Sequence, residues 1–586
     1  MSAERSLADY QEEETEKVIE RQEKAKNQQN TKKSKISGTS QETKADILAR
    51  KQRDIGVAEF FSRNRHLLGF DNKRKALMTT IKEAVDNALD ACEEAGVLPE
   101  IYVEIVDMGN DRFRITVEDN GPGIVKTQIP KIFAKLLYGS KFHSLKQSRG
   151  QQGIGISAAV MYGQLTTGRP ARIISKIGKD KPAHYVELKL DTAKNKPDIV
   201  KYEEKTWSKD HGTKITIDLE ASYQKGGQSI DAYLKETAIA NPHVTIVYVN
   251  PKAEQHIFPR AMNKLPKEAK EIKPHPYGVE LGVFIKLLTT TTTKTLQQFF
   301  TTEFSRVTSK VVKEICEHAK IEPKKKPKKI LREDAEKLIK AISEVKIMNP
   351  STDCISPIGE VGLEKGLRKE VNAEFYAVTS RPPSVYRGNP FQIEIALAYG
   401  GNQPGDKQIS LMRYANKVPL LFQQGACGFT KAVIQTSWRN YGLNQSQKSI
   451  PVGPMTLILH IASVWVPFTS ESKEALAQYP EILKEIRLAI QEVGRKLARY
   501  ISKKKRVKDE FQKRNYIEKY IPHLANAIKE LIDISDVQEA QLETELKSLL
   551  EQERGKIAKI VFDEKVNTDF DETFAKKFDN EEEVDE

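Results

Sequence analysis

Only four cysteines occur in 586 residues, and Cys92, Cys316, Cys354 and Cys427 form no CxxC pair and no Cys/His spacing. A disulfide framework and a thiolate zinc site are excluded on that ground, and a reducing cytoplasm is the expected compartment. No apolar run approaches membrane-spanning length, and the opening MSAERSLADYQEEETEK has no apolar core of a signal peptide. The expectation is therefore a soluble cytoplasmic protein with no membrane association. There is no GxxxxGK[ST], so a P-loop is excluded as well. Residues 153–158, GIGISA, fit a loose dinucleotide pattern, but that pattern needs a buried strand immediately before it. The residues before it, 144–152, are polar and loop-like, which removes the nicotinamide reading.

What is present is length and positive charge. At about 100–200 residues per domain the chain is long enough for three or four domains. Lys plus Arg number 94 against 81 Asp plus Glu, a surplus of 13 that suits a polyanionic partner. Residues 1–53, rich in Glu, Lys, Gln and Ser, are expected to be a disordered or helical arm, with order beginning near Val57.

Residues 74–95, RKALMTTIKEAVDNALDACEEA, are the stretch around which the chain is organised. Leu77, Ile81, Ala84, Val85, Ala88 and Cys92 recur at helical spacing and predict an amphipathic helix. Glu83, Asn87 and Asp90 share its other face. Alternating residues 101–105 and 113–117 about a turn at 109–111 predict a β-hairpin, which leads straight into DNGPGI at 119–124. Gly150, Gly153 and Gly155 punctuate a loop that ends where a small-residue helix begins. Strand-like runs at 171–177, 184–190 and 213–219 complete an α+β sandwich with helices on one face of a mixed sheet.

Beyond residue 273 the pattern turns helical, at 296–319 and 333–345, around the basic linker EPKKKPKK. Strand patterning returns at 374–379, 391–399, 410–414 and 455–464. From residue 480 apolar positions at alternating three- and four-residue steps predict one long helix towards Tyr520, about 60 Å at about 1.5 Å per residue. One or two more helices and the solvated acidic tail DNEEEVDE close the chain.

The helix with Glu83, Asn87 and Asp90, the turn with Asp119, Gly121 and Gly123, the glycine loop, and a strand opening on Gly212-Thr213 are each weak signals. Their joint order resembles the ATPase family shared by gyrases, heat-shock chaperones, histidine kinases and mismatch-repair proteins. LLYGSKFHSLKQSRGQQGIGISAAV, KPHPYGVE at 273–280, RPPSVYRGNPF at 381–391 and RYANKVPLL at 413–421 narrow the resemblance to the B subunits of type IIB topoisomerases, over residues 55–525.

That resemblance implies a Bergerat-type ATPase sandwich over 54–272, a helix-two-turns-helix insert over 273–349 and an α+β, ribosomal-protein-S5-like transducer over 350–480. A stalk helix over 481–525 and C-terminal helices with the tail over 526–586 complete the implied layout. It implies ATP and Mg²⁺ as cofactors, with Asp119 reading the adenine amine and Gly121 and Gly123 taking positive φ beside the base. Gly150, Gly153 and Gly155, with Ser140 and Lys141 in the same lid, sit by the phosphates. Asn87 is the implied metal ligand and Glu83 the base for the attacking water, with Asp90 and Thr213 in support. Lys473, arriving from the transducer without the glycine that usually precedes it, is implied to contact the γ-phosphate. The implied partners are a DNA-cleaving A subunit in an A2B2 heterotetramer, a second copy of the chain on ATP binding, and duplex DNA, for which residues 324–329 and 503–508 offer charge.

Overall fold

The computed structural model describes residues 44–52, 55–141, 144–150, 153–470 and 473–554. Residue contacts divide the chain after Gly56. On the first side the described element is α1 (Lys44–Lys51). The rest of the expected arm and the acidic tail lie outside the described residues.

The second unit opens with α2 (Val57–Arg63), where the composition shift places the onset of order, followed by α3 (Lys73–Glu94). Asn72 caps α3 by accepting from the Lys75 N–H, and the helix ends where the Val97 N–H reaches back to the Cys92 carbonyl across Gly96 at φ +69°. Its predicted apolar stripe is buried throughout. The hairpin is β1 (Glu100–Asp107) with β2 (Arg112–Glu118), in the expected antiparallel register.

Six more strands extend the sheet: β3 (Ala171–Lys176), β4 (Ala183–Asp191), β5 (Lys196–Lys205), β6 (Gly212–Glu220), β7 (Thr245–Val249) and β8 (Gln255–Phe258). The order is β5-β4-β3-β6-β2-β1-β7-β8, with β1 and β7 parallel and the other neighbours antiparallel. Alternate residues Ile101, Val103 and Ile105 face a core shared with α3, α5 (Gly155–Thr167) and α6 (Ile230–Ala240); the short α4 (Ile129–Ala134) lies over β4 and β5. Strand β5 escapes a reading of the sequence because it is an edge, exposed along nearly its whole length, so it has no alternation to detect.

The insert departs from expectation. Residues 296–319 are two helices, α8 (Leu296–Glu303) and α9 (Ser309–Ala319), and α7 (Leu281–Thr290) precedes them. Arg306 at φ +60° and the Thr308 cap on Val311 break the run, so apolar periodicity continues across a turn that it does not reveal. With α10 (Arg332–Glu344) these helices enclose a cluster of Phe284, Phe299, Phe300 and Phe304.

The third layer begins with α11 (Glu360–Glu370) and a second sheet. Its members are β9 (Phe375–Ser380), β10 (Ser384–Tyr386), β11 (Asn389–Tyr399), β12 (Ser410–Ala415), β13 (Val418–Pro419) and β14 (Met455–Ser463). Strands β9 and β10 share one edge of β11, and the order continues β11-β14-β12-β13. Its core also holds α12 (Gly428–Gln435) and the first turns of α13 (Pro480–Ile532), through Ile482, Ile486, Ile490, Val493 and Leu497. At 53 residues α13 outruns the expected stalk, ending at 532 rather than 525; Pro522 lies within it. A final helix, α14 (Asp536–Arg554), packs against it. Among the described residues no helix is long and apolar enough to cross a membrane.

Candidate functional site

A cavity of about 640 Å³ opens between α3, the β2–α4 turn, the glycine loop and two segments of the second-sheet domain, 419–422 and 473–474. Its size lies in the range of small-molecule sites. Glu83, Asn87, Asp119, Gly123, Ser140, Lys141, Gly150, Gly153, Gly155, Thr213 and Lys473 all line it. Asp90 and Gly121 stand behind the wall rather than on it.

One end is apolar, formed by Ala88, Ala91, Val117, Ile124, Phe133 and Ile215, with Asp119 set into it. Asp119 Oδ1 accepts from the N–H of Gly121 at 2.8 Å and of Thr213 at 3.1 Å. Both bonds fall on one oxygen, which leaves Oδ2 for a ligand. Burial pushes this carboxyl up to about 6, against the pull of those two N–H groups. Gly123 has φ +72°, and a Cβ there would sit 2.1 Å from the Lys176 carbonyl oxygen. Gly121 does not have positive φ, contrary to expectation. Its smallness matters instead because a Cβ would press on Asp119 Oδ1 at 3.0 Å and Cys92 Sγ at 3.4 Å.

The expectation that Asp119 reads the adenine amine of ATP can be tested at this carboxylate. In Asp119→Asn the amide oxygen must take the Oδ1 position to keep both N–H bonds, so the NH₂ faces the ligand and opposes an exocyclic amine. Affinity for ATP should fall about 10- to 100-fold, and the preference over a base with a carbonyl at that position should shrink. In the parent, affinity should drop as pH falls through about 6 and the carboxylate is protonated; the variant should lose that dependence. Isothermal titration with ATP and GTP across pH checks both.

The other end is polar and cationic. Lys75, Lys82 and Lys473 line it with the glycine loop. Helix α5 starts there with no side-chain cap on its first N–H groups, which leaves them for an anion. Gly155 is the first residue of α5, and a Cβ on it would lie 1.7 Å from Glu83 Oε2. The absence of that carbon is what lets the Glu83 carboxylate rest against the helix start. A Cβ on Gly150 would come no nearer than ordinary contact with Asn87, 3.8 Å from its Oδ1. Glu83 and Ala91 are eight residues apart on α3, about 12 Å along the axis, so one straight helix carries both ends of the cavity.

Asp90 is bound on both oxygens, by Lys141 at 2.6 Å and by Arg149 at 2.7 Å. Burial alone would raise its pKa, but these two cations hold it below the usual carboxylate range. Lys473 reaches in from the loop after β14, with its own backbone at φ +53° and its ammonium 3.4 Å from the Arg149 carbonyl. Burial pulls its pKa down, and Glu83 pulls it back up in part. Its neighbour Glu474 is buried, pairs with Lys75 in the first turn of α3 at 3.1 Å, and accepts from Gln423 at 2.6 Å.

Sequence reasoning misses Lys75, Glu474, Lys82 and Arg149. Lys82 lies 3.8 Å from Glu83 and 3.6 Å from Asp86, the latter pushed up to about 6 by burial. A lone charged residue inside a long loop or helix has no spacing signature, so only the fold brings these four to the site.

Comparison with known proteins agrees with this layout. Residues 72–235 match the family described as histidine kinase-, DNA gyrase B-, and HSP90-like ATPase, and residues 350–513 match the topoisomerase VI B subunit transducer. The B subunit of type 2 DNA topoisomerase 6 from Methanosarcina barkeri is 51% identical over 498 residues, covering 84% of this chain and 80% of that protein. The proteins of the same name from Archaeoglobus fulgidus, 47% identical over 484 residues (82% and 80% covered), and Thermococcus kodakarensis, 38% over 522 (80% and 90%), extend the likeness. An ATPase cavity closed by a residue from a transducer sheet, matched across both parts by such relatives, places this chain in the family of type 2 DNA topoisomerase 6 B subunits.

Proposed function

We propose that this chain is the ATP-hydrolysing subunit of a type IIB DNA topoisomerase, in which ATP-driven pairing of two copies gates the passage of one duplex through a break made by a separate A subunit. One observation carries the reading: the ATPase cavity is completed by Lys473 from the transducer, so the state of the nucleotide is felt in another domain.

Placement supports the following roles. Asp119 Oδ2 accepts from the adenine amine while Gly121 and Gly123 keep the backbone close. The N–H groups around Gly150, Gly153 and Gly155 hold phosphates, with Ser140 and Lys141 in the lid above them. Lys473 meets the terminal phosphate. Glu83, beside the start of α5, orients and deprotonates the attacking water, while Asp90 and Thr213 brace their neighbours.

Asn87 Oδ1 is a neutral hard oxygen exposed to the cavity, which fits Mg²⁺, a cation that takes few protein ligands and shares its shell with phosphates and water. Among the described residues no cluster of three His, Cys, Asp or Glu side chains competes for a metal. When bound, the ion neutralises phosphate charge.

Duplex DNA is assigned to residues 324–329 and 503–508. Each run spends one lysine internally, Lys325 on Asp334 and Lys504 on Glu374, and leaves the other basic side chains exposed. Binding through such charges weakens steeply with salt. The purified chain is expected to leave supercoiled DNA unchanged, and addition of an A subunit should give ATP-dependent relaxation on an agarose gel. Relaxation by this chain alone would contradict the assignment. Light scattering should show the chain pairing when a non-hydrolysable ATP analogue is added.

A further inference from the structure

The root of the lid is tied to the transducer residue by residue. The Gln147 side chain exchanges two hydrogen bonds with the Ser356 backbone, at 3.0 and 2.7 Å. The Ser148 carbonyl accepts from Asn416 at 3.1 Å, and the Arg149 carbonyl accepts from the Lys473 ammonium at 3.4 Å. The Arg149 side chain turns the other way, into the ATPase body. It donates to Asp90 at 2.7 Å, to Glu93 at 2.6 and 3.1 Å, and to Asn241 at 2.5 Å. The residue is 8% exposed, so this forked clamp works away from water, where charge-assisted bonds are strongest.

We propose that Arg149 is a positioning residue for ATP hydrolysis, and that its main-chain carbonyl is the resting dock for the ammonium of Lys473. The inference rests on Lys473 meeting the terminal phosphate, as in the proposed function. The clamp fixes the Arg149 backbone against α3, the helix that carries Glu83 and Asn87. The docked ammonium is therefore held in register with those two side chains before nucleotide arrives. At 3.4 Å the dock is a stretched bond, weaker than an ordinary N–H···O contact near 2.9 Å. A phosphate oxygen, charged and free to approach, outcompetes a neutral carbonyl at that distance. Lys473 thus changes partner without crossing the cavity.

The test is a double-mutant cycle on the full chain, reading kcat and KM for ATP. Arg149→Lys keeps the charge and loses the planar fork. It should lower kcat about 10- to 100-fold, the order of loss for a misplaced catalytic group. In a Lys473→Ala background the same substitution should lower kcat no further. Losses that multiply across the cycle, or an Arg149→Lys variant with parental kcat, would overturn the proposal. Parental turnover in Lys473→Ala alone would instead remove the phosphate contact of Lys473 on which it rests. If Arg149→Lys does not fold, Glu93→Gln, which loosens the same fork without changing volume, enters the cycle in its place.

Discussion

Glu83→Ala is expected to lower ATP turnover by about 10²- to 10⁴-fold, the contribution of a positioned general base, while ATP affinity stays within a few-fold of the parent. The two quantities separate because the carboxylate stands at the start of α5, touching neither the Asp119 end of the cavity nor the capping of α3. Its removal leaves no void in the core, since Glu83 is partly exposed and lines open space. Asn87 sits one turn further along α3 and keeps its place. A filter-binding measurement of ATP and a phosphate-release assay on the same preparation read the split. Turnover comparable to the parent would remove Glu83 from its role. Equal loss of binding would mean that the side chain holds the ground state rather than the transition state.

Glu83 is legible because its helix announces itself: the stripe Leu77, Ile81, Ala84, Val85, Ala88 and Cys92 settles which face is buried, and the glycines downstream give the other face something to do. The hairpin is legible for the same reason, a period of two with one face inside, whereas the central transducer strands β11 and β14 show as apolar runs because both of their faces are buried. What stays hidden is of two kinds. Elements without periodicity escape, such as the exposed edge β5 and the break at Arg306 that divides α8 from α9. So do long-range charge pairs, which leave no local trace. The position of Asp90, three residues after Asn87, points to the site, yet the fold turns it towards Lys141 and Arg149 and away from the cavity. Glu93, next along, collects Arg149, His243 and Lys417 from three distant segments. Burial would raise its pKa, and those partners hold it well below the usual range.

The same hidden chemistry continues into the transducer and ends on its most enclosed charge. Glu394→Ala is expected to destabilise the transducer by about 3–5 kcal/mol, because each buried donor left without its acceptor costs about 1–3 kcal/mol. Glu394 and His460 are both 0% exposed, on neighbouring strands β11 and β14, with His460 Nδ1 2.8 Å from Glu394 Oε2. His460 Nε2 accepts from the Lys417 N–H at 3.0 Å, which leaves Nδ1 to donate to the carboxylate. Glu394 also accepts from the N–H groups of Ile358 and Gly359, both at 2.8 Å, and from the Ser380 hydroxyl at 3.2 Å, so four donors lose their acceptor in the alanine variant. Burial would raise the pKa of Glu394, but His460 and the two N–H groups hold it below the ordinary value. A lowered carboxyl contributes stability that is fully present above its unfolded pKa of about 4.3 and is lost as pH falls through the lower folded value. The parent should therefore lose transducer stability on acidification below about 4.3, and Glu394→Ala should show a flatter profile. Denaturant unfolding followed by tryptophan fluorescence, with Trp438 buried in the same domain, reads both the shift and its pH dependence. Because Lys417 links this pair to Glu93, Glu394→Ala should also weaken the dependence of ATP turnover on Lys473, whereas a variant that unfolds more easily but keeps that dependence would show the pair to be support for the sheet alone.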